Sequence, residues 1–344
     1  MVIDAYTHFF PVAYQQMIER CTTRKHPDVP NLQALARLFP NLCEFETRLR
    51  HMDKHGIAIQ VLTPLPIPVE LFIGERDAVT GCELARVAND ALATEIGKQD
   101  ARFVGVGLLS FSDMQHAVLE LSRTVDDLGF AGAMLFTNIA GQPLDSEFLQ
   151  PLYAKAVELD VPLWLHPVSW DYYPWVRDYL IWQIFGWPID TTLAMARIVY
   201  GGVFDLFPKL KIITHHAGAT VPALFGRVVD TYDQNLELAQ LSAVRPIEVS
   251  DFGRNPVQDF SNFYADTAVS GSVPALRAAV DVFGVGHVLY GSDYPFGPNA
   301  GQRFIRANLE AVGALHLSPS DTESIFYNTT RALLQHASYH KGTS

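Results

Sequence analysis

Six residues with donor atoms lie far apart in the chain, at the ends of short apolar runs: Tyr6, His8, His166, the pair His215-His216, and Asp293. Divalent zinc takes imidazole nitrogen and carboxylate oxygen, and a catalytic site needs three protein ligands, leaving a position for water or substrate. A single histidine after a strand is usually a hydrogen-bonded core or loop residue, and Asp293 alone could cap a turn. The joint pattern, with His, His, His and Asp closing four separate runs, points to a site. His26, His51, His55, His116, His287, His316, His336 and His340 lack that placement and read as ordinary surface or core residues.

The elements that must position these groups follow from the runs themselves. They are VIDAYTHFF from Val2, AIQVLTPL from Ala58, FVGVGLLS from Phe103, GAMLFTN from Gly132, VPLWLHP from Val161, KIITHHAG from Lys211, FYADTAV from Phe263 and VLYGSDYP from Val288. Each is short, and rich in β-branched or aromatic residues, as expected of a strand buried on both faces. Helical spacing fills the intervals. Leu84, Ala88, Ala91, Leu92 and Ile96 share one face, and Ser112-Asp113 can cap the helix through Val118, Leu121 and Val125. Residues 146–159 and 274–283 repeat the scheme.

Eight such βα units imply an α/β fold, a distorted TIM (β/α)8 barrel, whose site lies at the C-terminal strand ends. Strand alternation puts Tyr6 and His8 on one side. The surplus length falls in a helical insertion over 10–57, after the first strand, and in an aromatic lid over 169–188, after the fifth. With no internal repeat or low-complexity segment, one domain over 1–344 is expected. The lid aromatics are read as Trp164, Trp170, Tyr172, Tyr173, Trp175, Trp182 and Trp187.

Composition bounds the partners. The chain has 344 residues, 49% of them hydrophobic, and a formal net charge of -12. That balance argues against a nucleic-acid binder, which needs clustered Lys and Arg. No apolar run is long enough to span a bilayer, and residues 1–9 lack the basic start of a signal peptide. Cys21, Cys43 and Cys82 are odd in number and widely spaced, so a disulfide framework is not expected. A soluble cytoplasmic protein is the expectation.

The stretches IDAYTHFFP, TRLRHMDKHGIAIQVL, VPLWLHP, GGVFDLFPKLKIITHHAGATVPALFGR and VLYGSDYPFG together resemble the amidohydrolase superfamily. The resemblance is to the branch of aminocarboxymuconate-semialdehyde decarboxylase, and it covers nearly the whole chain. It implies that His8, His166 and Asp293 are metal ligands, for Zn2+ or another divalent ion such as Mn2+. It implies that His216 is the strand-six acid/base, chosen over His215 because the interval to Pro222 and Arg227 then needs no gap. His215 is read as a structural neighbour on the other strand face. Arg48 and Arg227 match arginines that grip the substrate carboxylate, and Trp170 is placed beside the substrate. Arg227 is expected to reach the neighbouring subunit's site, which implies a homodimer. One departure is Tyr6, which stands where the family carries His or Glu. Its phenol could ligate the metal, hydrogen-bond water or substrate, weaken metal binding, or fill the barrel.

Three functions follow. The first is a metal-dependent lyase that decarboxylates a small carboxylated aromatic or muconate-like acid. The second is a hydrolase or hydratase acting at the same site on a carboxylated aromatic-catabolism intermediate. The third is a metal-free, non-catalytic barrel, which the retention of His8, His166, His216 and Asp293 speaks against.

Overall fold

Eight parallel strands alternate with helices in the structure, a computed structural model that describes residues 1–22, 31–73, 77–99, 101–168, 174–240, 255–335 and 337. The strands are β1 (Val2–Phe9), β2 (Ile57–Pro64), β3 (Phe103–Gly105), β4 (Ala133–Phe136), β5 (Leu163–His166), β6 (Ile212–Thr214), β7 (Tyr264–Asp266) and β8 (Val288–Leu289). They form a three-stranded sheet, β1-β2-β3, and a five-stranded sheet, β4-β5-β6-β7-β8.

Both seams between the sheets are hydrogen-bonded. Met134 N donates to Gly107 O and Gly107 N to Gly132 O, each at 2.8 Å. On the other side Ala5 N donates to Tyr290 O at 2.8 Å and His8 N to Tyr294 O at 2.7 Å. These bonds carry the strand order around into a ring. The distortion lies at the seams, where irregular backbone replaces regular ladder.

Local sequence fixes the helices. Asp77 and Asp113 cap the helices Ala78–Ile96 and Met114–Asp126 by accepting from Thr80 N and His116 N, each cap worth about 1 kcal/mol. The insertion after β1 contributes the helices Val12–Cys21, Leu32–Leu38 and Phe45–His55. The last ends at Gly56, whose φ of 70° is the left-handed conformation that lets the chain turn directly into β2.

Two bonds cross between opposite strands. The Trp164 indole donates to Ala5 O at 3.0 Å, and the Tyr6 hydroxyl donates to Leu165 O at 3.1 Å. Trp164 is fully buried on β5. It therefore belongs to the core and not to the aromatic lid in which the sequence reading placed it. The described part of that lid is a 3-10 stretch at Pro174–Leu180 and a π-helical turn at Trp182–Gly186, leading into the helix Trp187–Tyr200. Trp170, Tyr172 and Tyr173 lie outside the described residues. Among the described residues no helix is long and apolar enough to cross a membrane, and all three cysteines are unpaired.

Candidate metal centre

The C-terminal ends of β1, β5, β6 and the segment after β8 bring His8, His166, His215, His216 and Asp293 together. Donor atoms of His8, His166 and His215 all lie within 4.8 Å of one another, and so do those of His215, His216 and Asp293. The ring centroids of His8 and His166 are 5.5 Å apart, and those of His166 and His215 are 5.4 Å apart.

Each of three imidazoles is anchored through Nδ1. His8 Nδ1 lies 2.8 Å from Thr63 Oγ1, whose own hydrogen goes to Thr7 O. His166 Nδ1 meets Pro167 O at 2.7 Å, and His215 Nδ1 bonds the Asp266 carboxylate. An Nδ1 that donates leaves Nε2 as a lone-pair donor toward a cation. The Nε2 atoms of His8 and His215 face Asp293 Oδ1 at 3.2 and 3.5 Å. Neither is satisfied by a hydrogen bond of good geometry. Nitrogen lone pairs and a carboxylate oxygen facing one another repel unless a cation or protons lie between them. The donor set therefore fits a divalent ion, with imidazole and carboxylate ligands of the type zinc and manganese accept.

The electrostatics agree with that geometry. Burial opposes ionisation of Asp293, but the approach of His215 and His8 outweighs it and holds the carboxyl well below the usual range. Burial lowers the His8 pKa, opposed in part by Asp293. Burial, with the neighbouring imidazoles, holds His166 well below the ordinary value. His215 differs: burial would lower it, but the Asp266 carboxylate first and Asp293 second raise it to about 9. His216 is lowered to about 3, by burial and then by His215.

Three sequence expectations are sharpened here. His215 is not turned away on the opposite face. β6 ends at Thr214, and His216 takes a left-handed φ of 57°, so strand alternation has already stopped and the two rings lie 3.8 Å apart. His215 is the more central, with Nδ1 bonded to Asp266 and Nε2 facing Asp293. Tyr6 is the second change. Its ring stacks on His215 at 4.1 Å and 19°, while its hydroxyl is engaged by Leu165 O. Burial pushes the phenol well above its usual pKa, and Asp266 and Asp293 push it further. Tyr6 thus packs as an aromatic wall against His215, with its hydroxyl turned to the β5 backbone.

Arg48 is the third. It is fully buried, and donates to Gln60 Oε1 at 2.9 Å, His8 O at 2.5 Å and Asn41 O at 3.1 Å. The guanidinium also packs 4.7 Å from the centre of the Tyr294 ring. Burial brings its pKa down to about 10. A guanidinium so engaged braces the insertion against β1 and β2. Arg227 lies on the exposed side of the helix Val221–Gln240, outside the cluster of its own chain. Trp170 falls outside the described residues.

Two residues missed in the sequence complete the centre. Asp266 closes β7 in FYADTAV, a strand end like the others, and its Oδ1 also accepts from Ala217 N and Ala268 N. Gly291 permits the close approach of β8, because a Cβ there would lie 2.9 Å from Asp266 Cβ and 3.0 Å from Tyr6 Cβ.

A ring of parallel strands with such a centre at its mouth defines the class, a metal-binding α/β barrel. The amidohydrolase family model matches residues 3–335, and the chain belongs to that family. A γ-resorcylate decarboxylase from Polaromonas sp. is 32% identical over 73% of this chain and 77% of its own. The 2-amino-3-carboxymuconate-6-semialdehyde decarboxylase of Dictyostelium discoideum is 26% identical over 86% of this chain and 81% of its own. A 2-keto-4-carboxy-3-hexenedioate hydratase from Sphingobium sp. is 25% identical over 96% and 95%. The fold superposes on the crystal structure of a dihydroxybenzoic acid decarboxylase from Polaromonas sp. with bound manganese and 2-nitroresorcinol. The TM-score is 0.76, with 25% identity, and 97% of this chain and 96% of the other are covered.

Proposed function

We propose that this protein is a metal-dependent decarboxylase of a small carboxylated aromatic or muconate-like acid. The observation that carries the reading is the convergence of three Nδ1-anchored imidazoles on Asp293 at the barrel mouth, in a family whose relatives include such decarboxylases. On this reading His8, His166, His215 and Asp293 hold the ion, Mn2+ or Zn2+. When bound, the ion supplies Lewis acidity toward a substrate oxygen.

His216 stands beside this group with its Nδ1 free of any hydrogen bond among the described residues. On this reading it is the group placed to take the acidic proton of the substrate and return it to the carbon that loses carbon dioxide. The carbon–carboxylate bond breaks, its electron pair remains on that carbon, and the returned proton completes the product. Aromatic walls support a planar substrate. Phe296 lies 5.3 Å from His8, ring to ring, and Trp187 lies 5.8 Å from His166.

Arg227 is assigned to the neighbouring subunit's site in a homodimer. Exposed Phe185, Ile189 and Leu193 support an apolar interface there. They continue toward exposed Leu224 across the 2.7 Å contact between Thr192 and Thr220. The unpaired cysteines support a cytoplasmic setting, and the family match over 3–335 supports a single domain.

The Mn2+-loaded protein, offered a panel of carboxylated aromatics and muconate-like acids, should release carbon dioxide from at least one. The hydratase relative supports a second reading, in which His216 acts as base for water addition to a C=C bond. Hydrated products without carbon dioxide would establish that reading in place of the first.

A further inference from the structure

We infer that Asp4, buried on β1 outside the ligand set, is a positioning residue that fixes the ligand carboxylate of Asp293. The inference rests on the metal-centre reading above. Asp293 has a φ of 64°, a left-handed conformation uncommon outside glycine, asparagine and aspartate. Such a residue stays in place only where its flanks are over-determined. Here both flanks lead to Asp4.

Its Oδ1 accepts from Ser292 N at 2.9 Å, and its Oδ2 accepts from Ser292 Oγ at 2.6 Å. Ser292 Oγ in turn accepts from Tyr294 N at 3.2 Å. One carboxylate thus grips the residue before Asp293 by two atoms and reaches the residue after it through one hydroxyl. Asp293 N itself donates to Tyr6 O at 3.0 Å. The clamp is held from behind, because Gln60 Nε2 reaches Asp4 Oδ2 at 3.4 Å while Gln60 Oε1 accepts from Arg48. Asp4 and Ser292 are both fully buried, so removing one partner leaves a buried polar group unsatisfied at a cost.

The consequence is a metal affinity set in part by a residue that never touches the metal. Asparagine at position 4 keeps the shape and loses one acceptor oxygen; alanine at 292 loses the bridging hydroxyl. Groups that orient a ligand from outside typically cost about 10- to 100-fold in affinity when removed.

The test is titration calorimetry of the full chain with Mn2+, comparing wild type with Asp4→Asn, Ser292→Ala and Ser292→Thr. Circular dichroism and thermal melts in chelator serve as the fold control. Asp4→Asn and Ser292→Ala should bind Mn2+ about 10- to 100-fold more weakly, while Ser292→Thr, which keeps the hydroxyl, should restore most of the affinity. Lower melting temperatures with Mn2+ affinity within twofold of wild type would make Asp4 merely structural and overturn the proposal. Should Asp4→Asn fail to fold, the Ser292 pair decides alone. A wild-type chain that takes up no Mn2+ would instead remove the metal centre itself, and the proposal with it.

Discussion

His215 and His216 are neighbours in sequence, yet opposite electrostatic conditions act on them. His215 has the Asp266 carboxylate behind it and Asp293 before it, which raise it to about 9. His216 has no carboxylate contact of that kind, and burial leaves it at about 3. The proposed division of labour rests on placement instead: His215 is anchored through Nδ1 on Asp266 with Nε2 facing Asp293, which suits a ligand, and His216 stands beside them as the proton carrier. His215→Ala should strip the metal during dialysis, with activity lost in parallel. His216→Ala should keep about one ion per chain and lose about 10²- to 10⁴-fold in kcat, the usual span for general acid–base groups. Metal analysis with kinetics of both variants checks this, and exchanged roles, His216 holding the metal and His215 carrying the proton, would overturn it. The strand-end pattern located both histidines and the right strand end. It could not tell them apart, because the choice depends on where β6 stops and on the left-handed turn at His216, and neither leaves a mark in residue type.

At the scale of elements, the helix Phe45–His55 shows what was legible and what was overlooked. Phe45, Arg48 and Met52 are its buried residues, at the i, i+3, i+7 spacing of a single helical face. An arginine on that stripe must face inward, so the pattern in TRLRHMD already carried its direction. The resemblance to substrate-gripping arginines drew attention to its charge and away from its place. Arg48→Ala would leave Gln60 Oε1 and the carbonyls of His8 and Asn41 without a buried donor. The expected cost is at least about 3 kcal/mol, since each orphaned buried acceptor costs about 1–3 kcal/mol. Chemical denaturation should show that loss, with KM of the remaining folded enzyme close to wild type. Unchanged stability with a tenfold higher KM would return Arg48 to the substrate. The eight strands were legible from apolar runs and their punctuation, because buried parallel strands need continuous apolar sequence. Their lengths were not: β3 and β8 keep only Phe103–Gly105 and Val288–Leu289 as regular ladder, since the seams are closed by irregular backbone that no periodicity encodes.

For the molecule as a whole, the net charge of -12 describes a surface, while on the proposed reading an acidic substrate meets the site. Among the described residues of one chain, that site has few free cationic groups. Arg48 is committed to Gln60 and to backbone carbonyls, and Arg227 points outward from the helix Val221–Gln240. On the proposed reading a second copy brings the positive side chain that meets the substrate carboxylate, and the exposed apolar side chains on the same face as Leu224 are where that copy would dock. A two-fold interface presents the same patch on both subunits, so each Arg227 would serve the other's metal centre. Subunit complementation tests this directly. His8→Ala and Arg227→Ala should each be inactive alone. Unfolded and refolded together, they form heterodimers in about half of the pairings expected for a two-fold dimer. In each heterodimer one site combines an intact metal centre with an intact arginine from the other subunit, and the second site has neither. Activity should therefore return to about a quarter of wild type for a symmetric dimer. An arginine acting within its own chain cannot give that result, because every site would then carry one of the two lesions. A mixture that stays inactive while sedimenting as a dimer would place the carboxylate-binding group elsewhere.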